Sequence, residues 1–174
     1  RIGEVTIAEV VDTALASLAA RHGRDAECSR AAGAFLGLDL PGPGRHVAAA
    51  PFGAFWTGPG QWMIEAPHGS HEDLAERLKA AVGDAGSVTE QSDAWARFDV
   101  KGPDCRALLE RLCAVDVGRM AAGEATRSVI EHMGCLLLCR AAPGKYSILG
   151  ARSSAGSLPM RDRGGARDRL AHTL

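Results

Sequence analysis

A strand-like pattern runs directly into a helix-like pattern in the segment 95–113, and this junction restricts the possible folds strongly. Apolar side chains first recur at every second position, which is the period of a strand with one face in a core. The alternating residues are Trp95, Ala96, Arg97, Phe98, Asp99 and Val100. Gly102 and Pro103 then open a helix, since proline is tolerated at the first helical position. Its apolar stripe consists of Cys105, Leu108, Leu109, Leu112 and Cys113. Such a junction requires a sheet with a helix packed on it.

Two further helices are predicted upstream of this junction. Apolar residues recur at helical spacing from Asp25, and Gly37 suits the left-handed position just past a helix end. Ser70 can cap a second helix, with Asp73 as a weaker capping-box partner three residues on. Its apolar stripe consists of Leu74, Leu78 and Val82. Gly83 is expected to end it.

Hairpins are predicted in two places. The runs 52–57 and 62–66 flank the tetrad Gly58-Pro59-Gly60-Gln61, and proline followed by glycine is the preferred central pair of a type II turn. The run 129–139 is apolar on both faces, which predicts a buried central strand that pairs with 146–149. The segment 5–20 is compatible with a strand followed by either a second strand or a short helix.

These patterns predict the α+β class, with a mostly antiparallel sheet and two or three helices packed on it. A chain of 174 residues fits one domain. We expect a single α+β domain over 1–158. The charged, glycine-containing stretch 159–174 is expected to be a flexible tail.

Composition argues against several classes of protein. The formal net charge is −1, with 20 Lys and Arg against 21 Asp and Glu, so no overall field favours nucleic acid. No apolar run of about 18 residues predicts a membrane span. Acidic residues precede the apolar stretch 13–20, where a secretory signal would be basic. The odd number of cysteines, five, favours reduced thiols in the cytoplasm.

Catalytic, cofactor-binding and metal-ligating patterns are not found in the sequence. The glycines at 58–60 join two strands rather than a strand and a helix, so they do not match a dinucleotide-binding loop. Ser153 and Ser154 lack the glycine spacing of a nucleophile elbow. His132 is predicted to be a structural residue within the 129–139 strand. We therefore assign no catalytic, cofactor or metal residue to this chain.

Two of the three tryptophans flank one tight turn. Trp56 and Trp62 are expected to lie close together, either as anchors of a protein interface or as ordinary core residues. The sequence leaves both interpretations open.

Four motifs together resemble the gamma subunit of heterotetrameric sarcosine oxidase. They are WTGPGQW at 56–62, SDAW at 92–95, FDVKGPDCRALLERLCAVDV at 98–117 and RSSAGSL at 152–158. Their order and spacing match that family over about residues 5–158. The residues expected to form a partner interface or a structural motif are Trp56, Gly58, Pro59, Gly60, Trp62, Ser92, Asp93 and Trp95. The family departs from this sequence at Pro159, where it usually continues with an aromatic, helix-forming end.

The resemblance implies the fold of the folate-binding domain of aminomethyltransferases and a non-catalytic role in assembly. The expected partner is the alpha subunit, and through it the beta and delta subunits. The expected complex oxidatively demethylates sarcosine to glycine, forms peroxide and passes one carbon to tetrahydrofolate. FAD, FMN, NAD and tetrahydrofolate are expected in the partner subunits and not in this chain.

Two alternatives to an assembly subunit stay open, the first of them because the fold that the chain resembles can bind folate. The first is a stand-alone folate-binding module of one-carbon metabolism, in which Asp93 or Asp99 would be the carboxylate that binds the pterin ring. The second is an independent small enzyme, for which no pair of nucleophile and base can be named.

Overall fold

Two antiparallel sheets, each with its own helices, make up the fold. The computed structural model describes residues 4–130 and 132–157. The chain divides into two units. The described parts of 1–11 and 93–174 form the first unit, and residues 12–92 form the second. The single domain predicted over 1–158 stays a prediction. The tail predicted over 159–174 lies outside the described residues.

Ten strands and three helices are present in the described residues. In chain order they are β1 (Thr6–Val10), β2 (Ala14–Ala20), α1 (Asp25–Leu36), β3 (His46–Ala49), β4 (Phe52–Gly58), β5 (Gln61–Ala66), α2 (Leu74–Val82), β6 (Gly86–Glu90), β7 (Trp95–Lys101), α3 (Cys105–Leu112), β8 (Ala125–Ile130), β9 (Met133–Ala141) and β10 (Lys145–Ala151). Short 3₁₀ turns lie at His68–Ser70, Gly83–Ala85, Val117–Arg119 and Arg152–Ser157.

The first unit carries a five-stranded sheet in the order β1-β7-β10-β9-β8. The strand predicted from the period-two pattern at 95–100 is confirmed, because Ala96, Phe98 and Val100 of β7 all lie in one buried core. Helix α3 packs on the same core through its predicted apolar stripe. The buried members of that stripe are Cys105, Leu108, Leu109 and Cys113. Burying each large side chain of this kind contributes roughly 1.5–3 kcal/mol.

The second unit carries a five-stranded sheet in the order β3-β4-β5-β2-β6. Helices α1 and α2 contact each other, and their apolar stripes share a core with the sheet. The helical residues of this core are Cys28, Ala32, Leu36, Leu74, Leu78 and Val82. Gly37 ends α1 with a φ of 68° in the left-handed region, as predicted. Asp73 and Arg77 form an ion pair at 3.7 Å.

The predicted α+β class is confirmed, and its antiparallel strands are shared between two sheets. Both predicted hairpins are present as β4–β5 and β9–β10. The ambiguous segment 5–20 forms two strands, β1 and β2.

The prediction of one strand over 129–139 is wrong. The chain reverses between Ile130 and Met133, which are register partners in the β8–β9 pair. His132 therefore lies in a tight turn and has a φ of 68°. Val129 and Ile130 at the end of β8, followed closely by the apolar residues of β9, gave the sequence the appearance of one continuous buried strand.

Two predicted helix starts also differ from the structure. Ser70 does not cap α2, because it ends a 3₁₀ turn and its hydroxyl lies 2.9 Å from Nδ1 of His71. Helix α2 begins at Leu74, after Asp73. Pro103 lies before the first residue of α3 instead of at it. In both cases a turn precedes the helix, and the periodic pattern does not distinguish the two.

Gly102, at the junction of β7 and α3, is predicted to be intolerant of any side chain. Its φ is +132°, and a Cβ placed there would collide with the backbone carbonyl of Glu4. Gly102→Ala should therefore lower the free energy of unfolding by roughly 1–3 kcal/mol, as measured by urea denaturation. Gly134→Ala is the matched control, because a Cβ at that position meets no atom within 4 Å. Equal urea midpoints for the two variants would contradict the prediction.

Candidate functional site

A two-residue turn reverses the chain between β4 and β5. Gly58 and Gln61 are register partners, so Pro59 and Gly60 are the two residues of the loop. The φ of Gly60 is +65°, as the third position of the predicted turn requires. The register shifts by one residue between Trp56 and Gly58. We call residues 52–66 the tryptophan hairpin.

The two tryptophans of this hairpin lie directly opposite each other. Trp56 and Trp62 are register partners, so their side chains share one face of the sheet. Trp62 is buried and belongs to the core of the second unit, whereas Trp56 is half-buried and packs against that core. The indole N–H of Trp62 donates a 2.8 Å hydrogen bond to the backbone carbonyl of Pro41. The predicted proximity is confirmed, and Trp62 is a core residue that also holds the loop before β3 in place.

An open groove of about 460 Å³ lies beside the tryptophan pair. Its walls come from the start of α1, from the 41–43 loop and from the hairpin. The residues that characterise it are Asp25, Ser29, Pro41, Pro43, Trp56 and Pro59. Prolines and indole rings make most of this surface apolar. We call this feature the tryptophan groove.

Replacement of Trp62 should destabilise the second unit more than replacement of Trp56. Trp62→Ala removes a buried indole and leaves a cavity, and we expect a loss of about 3–5 kcal/mol in the free energy of unfolding. Trp62→Phe keeps a ring but loses the hydrogen bond to Pro41, which costs about 1 kcal/mol. Urea unfolding measures both losses. Trp56→Ala is the control, because a half-buried ring leaves a smaller cavity. A Trp62→Ala protein as stable as Trp56→Ala would show that Trp62 is not a core residue.

The SDAW motif at 92–95 has a different role at each position. The Ser92 hydroxyl accepts a 3.0 Å hydrogen bond from the backbone N–H of Leu15 in β2. The side chain of Asp93 is exposed and lies in the turn before β7. Trp95 begins β7 and is half-buried.

Arg152 ties the SDAW motif to the RSSAG motif within the first unit. Its guanidinium donates to the backbone carbonyls of Asp93 and Trp95 at 3.2 and 2.8 Å. Its own backbone N–H donates to Ala94 at 2.9 Å. Nη1 also lies 3.6 Å from the Glu9 carboxylate. Both motifs are visible in the sequence, but the contact between them was not predicted.

Asp99 is the buried carboxylate of the first unit. Nε of Arg97 lies 2.9 Å from its Oδ1, and the Ser147 hydroxyl donates to the same oxygen at 2.7 Å. Arg140 in turn donates to Oγ of Ser147 at 3.0 Å. Burial raises the pKa of the Asp99 carboxyl, but the hydrogen bonds from Arg97 and Ser147 outweigh burial, so the pKa lies below its usual value. The carboxylate is thus held ionised by groups of its own sheet.

Asp99→Asn should destabilise the protein in a pH-dependent way. A carboxyl whose pKa is lowered by folding adds stability above its unfolded pKa, and this stability is lost as the pH falls through the folded pKa. We expect the variant to be about 2 kcal/mol less stable at pH 7. The difference should shrink below about pH 4, near the ordinary pKa of aspartate. Unfolding curves across this pH range test it. Asp93→Asn, at an exposed position, should match the wild type, and a constant gap for Asp99→Asn would contradict the assignment.

The five cysteines are free and buried. Burial raises the pKa of the Cys28, Cys105 and Cys139 thiols, and it raises that of Cys135 to about 11. These four thiols are therefore protonated at neutral pH, as small hydrophobic core residues would be. In the part of the chain that the structure describes, no three His, Cys, Asp or Glu side chains come together as a possible metal site.

None of the helices in residues 4–130 and 132–157 combines the length and the apolar character needed to cross a bilayer.

Solved structures of other proteins share the fold of this chain. No family model matches the chain, and no curated protein matches it. Its fold is shared with the glycine cleavage system aminomethyltransferase T from Bartonella henselae, with a TM-score of 0.65 and 12% identity. The match covers 88% of this chain and 44% of the aminomethyltransferase, so this chain spans less than half of that enzyme.

A second solved structure is more similar. It is the heterotetrameric sarcosine oxidase from Corynebacterium sp. U-96, in complex with pyrrole 2-carboxylate. One of its chains superposes with a TM-score of 0.76 and 23% identity, over 87% of this chain and 78% of that one. The resemblance read from the sequence motifs is confirmed at the level of the fold.

Proposed function

We propose that this chain is a non-catalytic gamma-type subunit that supports the assembly of a heterotetrameric sarcosine oxidase. The observation that carries the proposal is the extent of the structural match. It covers most of both chains for the sarcosine oxidase, 87% and 78%, but only 44% of the aminomethyltransferase. A match of this kind favours equivalence to a whole subunit over equivalence to part of an enzyme.

The contacts of the reactive side chains also support a structural role. Asp99 is bonded to Arg97 and Ser147 within its own sheet. Arg152 binds backbone carbonyls of the SDAW turn. Four of the buried thiols are protonated at neutral pH. These groups stabilise the fold and are not poised as a nucleophile with its base.

In this proposal the alpha subunit is the direct partner, and the beta and delta subunits join through it. FAD, FMN, NAD and tetrahydrofolate belong to the partner subunits. The assembled complex would convert sarcosine to glycine with formation of peroxide, and would pass the methyl carbon to tetrahydrofolate. The cytoplasm is the compartment that fits five free thiols.

A stand-alone folate-binding module is less favoured by the structure. That alternative relied on Asp93 or Asp99 as the carboxylate that meets the pterin. Asp93 is an exposed turn residue, and the Asp99 oxygens already accept bonds from Arg97 and Ser147.

Co-expression with alpha, beta and delta subunits of a sarcosine oxidase tests the proposed function. We expect this chain to co-elute with them on size exclusion, with flavin absorbance only in fractions that contain the large subunits. The isolated chain should be colourless and inert towards sarcosine. Its melting temperature should not change with tetrahydrofolate, because a ligand that does not bind the folded state gives no stabilisation.

The matched control is the same co-expression without this chain, which should lower the yield of the assembled complex. Elution of this chain alone, with an unchanged yield of the other subunits, would contradict the assembly role. A saturable rise in its melting temperature with tetrahydrofolate would favour the folate-binding alternative.

A further inference from the structure

The tryptophan groove is held in shape by contacts from three elements of the second unit. Trp62 fixes the 41–43 wall through its 2.8 Å bond to the Pro41 carbonyl. The carbonyl of Gly60 accepts a 2.8 Å bond from the backbone N–H of Ala20, at the end of β2. The hairpin wall and the chain that leads into α1 are thus joined. A groove supported in this way exists before any partner binds, which lowers the entropic cost of binding.

A carboxylate lies in the wall of the groove. Among the described residues that line it, Asp25, the first residue of α1, is the one ionisable residue. Its neighbours Arg24 and Glu27 form an ion pair with each other at 2.6 Å. Oδ1 of Asp25 lies only 3.0 Å from the position that a Cβ of Gly60 would occupy, so the glycine allows the carboxylate to approach the turn.

An indole ring lines the same groove as this carboxylate. Trp56 is half-buried, so part of its ring is open to solvent, and Pro43 and Pro59 add apolar surface. Aromatic rings attract cations placed over their faces, and arginine is found in such contacts more often than lysine. A carboxylate beside an indole and prolines is complementary to a cationic side chain with an apolar stem.

We propose that the tryptophan groove is the docking site for an arginine or lysine side chain on an extended segment of the partner subunit. The cationic head pairs with Asp25, and its stem packs on Trp56 and the prolines. Aromatic-lined grooves bind extended segments in several recognition domains. The groove is open, and residues of three elements line it, which leaves room for such a segment. This inference rests on the proposed assembly function. It specifies which surface of the chain binds the partner subunit and the charge of the partner side chain that binds there.

Charge variants of Asp25 test the docking site in the co-expressed complex. Association of the full chain with the large subunits is measured by biolayer interferometry. Asp25→Asn should weaken binding roughly tenfold, and Asp25→Lys should weaken it further through repulsion. Added salt should weaken the wild type more than Asp25→Asn, since only the wild type has the charge to screen. Asp39→Asn is the matched control, an exposed aspartate of the same unit that does not line the groove.

Melting temperatures of the variants separate docking from folding, because Asp25 also lies in the first turn of a helix. Reduced binding by a variant that has the melting temperature of the wild type supports the docking site. Wild-type affinity of both Asp25 variants would overturn it while the assembly function stands.

If the wild-type chain does not bind the large subunits, the assembly function fails. A peptide titration then tests the groove separately. The probe is a nine-residue peptide of alternating proline and arginine, with a proline–glutamate peptide as control. A saturable change in tryptophan fluorescence with the arginine peptide alone, absent in Asp25→Lys, supports the groove as a site for cationic segments. No response to the arginine peptide overturns it.

Discussion

The positive φ of Gly60 is the constraint on which the second unit most depends. It closes a two-residue reversal that puts Trp56 opposite Trp62. A slip of one residue would send Trp62 to the other face of the sheet and would break its bond to Pro41. The missing side chain at Gly60 also leaves room for the carboxylate of Asp25. The core, the loop before β3 and the start of α1 therefore all depend on one backbone conformation.

Much of the fold could be predicted from the sequence wherever a periodic pattern ended at a distinctive residue. The period of two in β7 and the period of 3.6 in α3 identified both elements, and Gly37 marked the end of α1. The turn at His132 was missed because it has neither glycine nor proline within it and lies between the apolar end of β8 and the apolar residues of β9. Periodicity shows which face of a strand is buried, but it does not show which sheet the strand joins. The division into two sheets was therefore beyond sequence reasoning.

Only those parts of the candidate site that are close together in the sequence could be predicted. The hairpin places its two tryptophans together within seven residues, so their proximity was visible in the sequence. Pro41 and Asp25 belong to the same groove but come from elements that only the tertiary fold brings near. Arg152 binds carbonyls 59 and 57 residues earlier in the chain. No local pattern encodes such a contact.

The hydrogen bonds at Ser92 also bear on the order in which the chain folds. Residues 12–92 interrupt the first unit between β1 and β7, so the β1–β7 pair must close a loop of about eighty residues. Leu15 and Ser92 are joined by a 3.0 Å bond, and Gln91 donates to the Leu15 carbonyl at 2.8 Å. Once residues 12–92 have folded, these bonds hold their two ends side by side. The loop that remains to be closed is then only about ten residues long. The free-energy cost of closing it is lower by roughly 2 kcal/mol. Folding of the inserted unit is therefore expected to favour the pairing of β1 with β7.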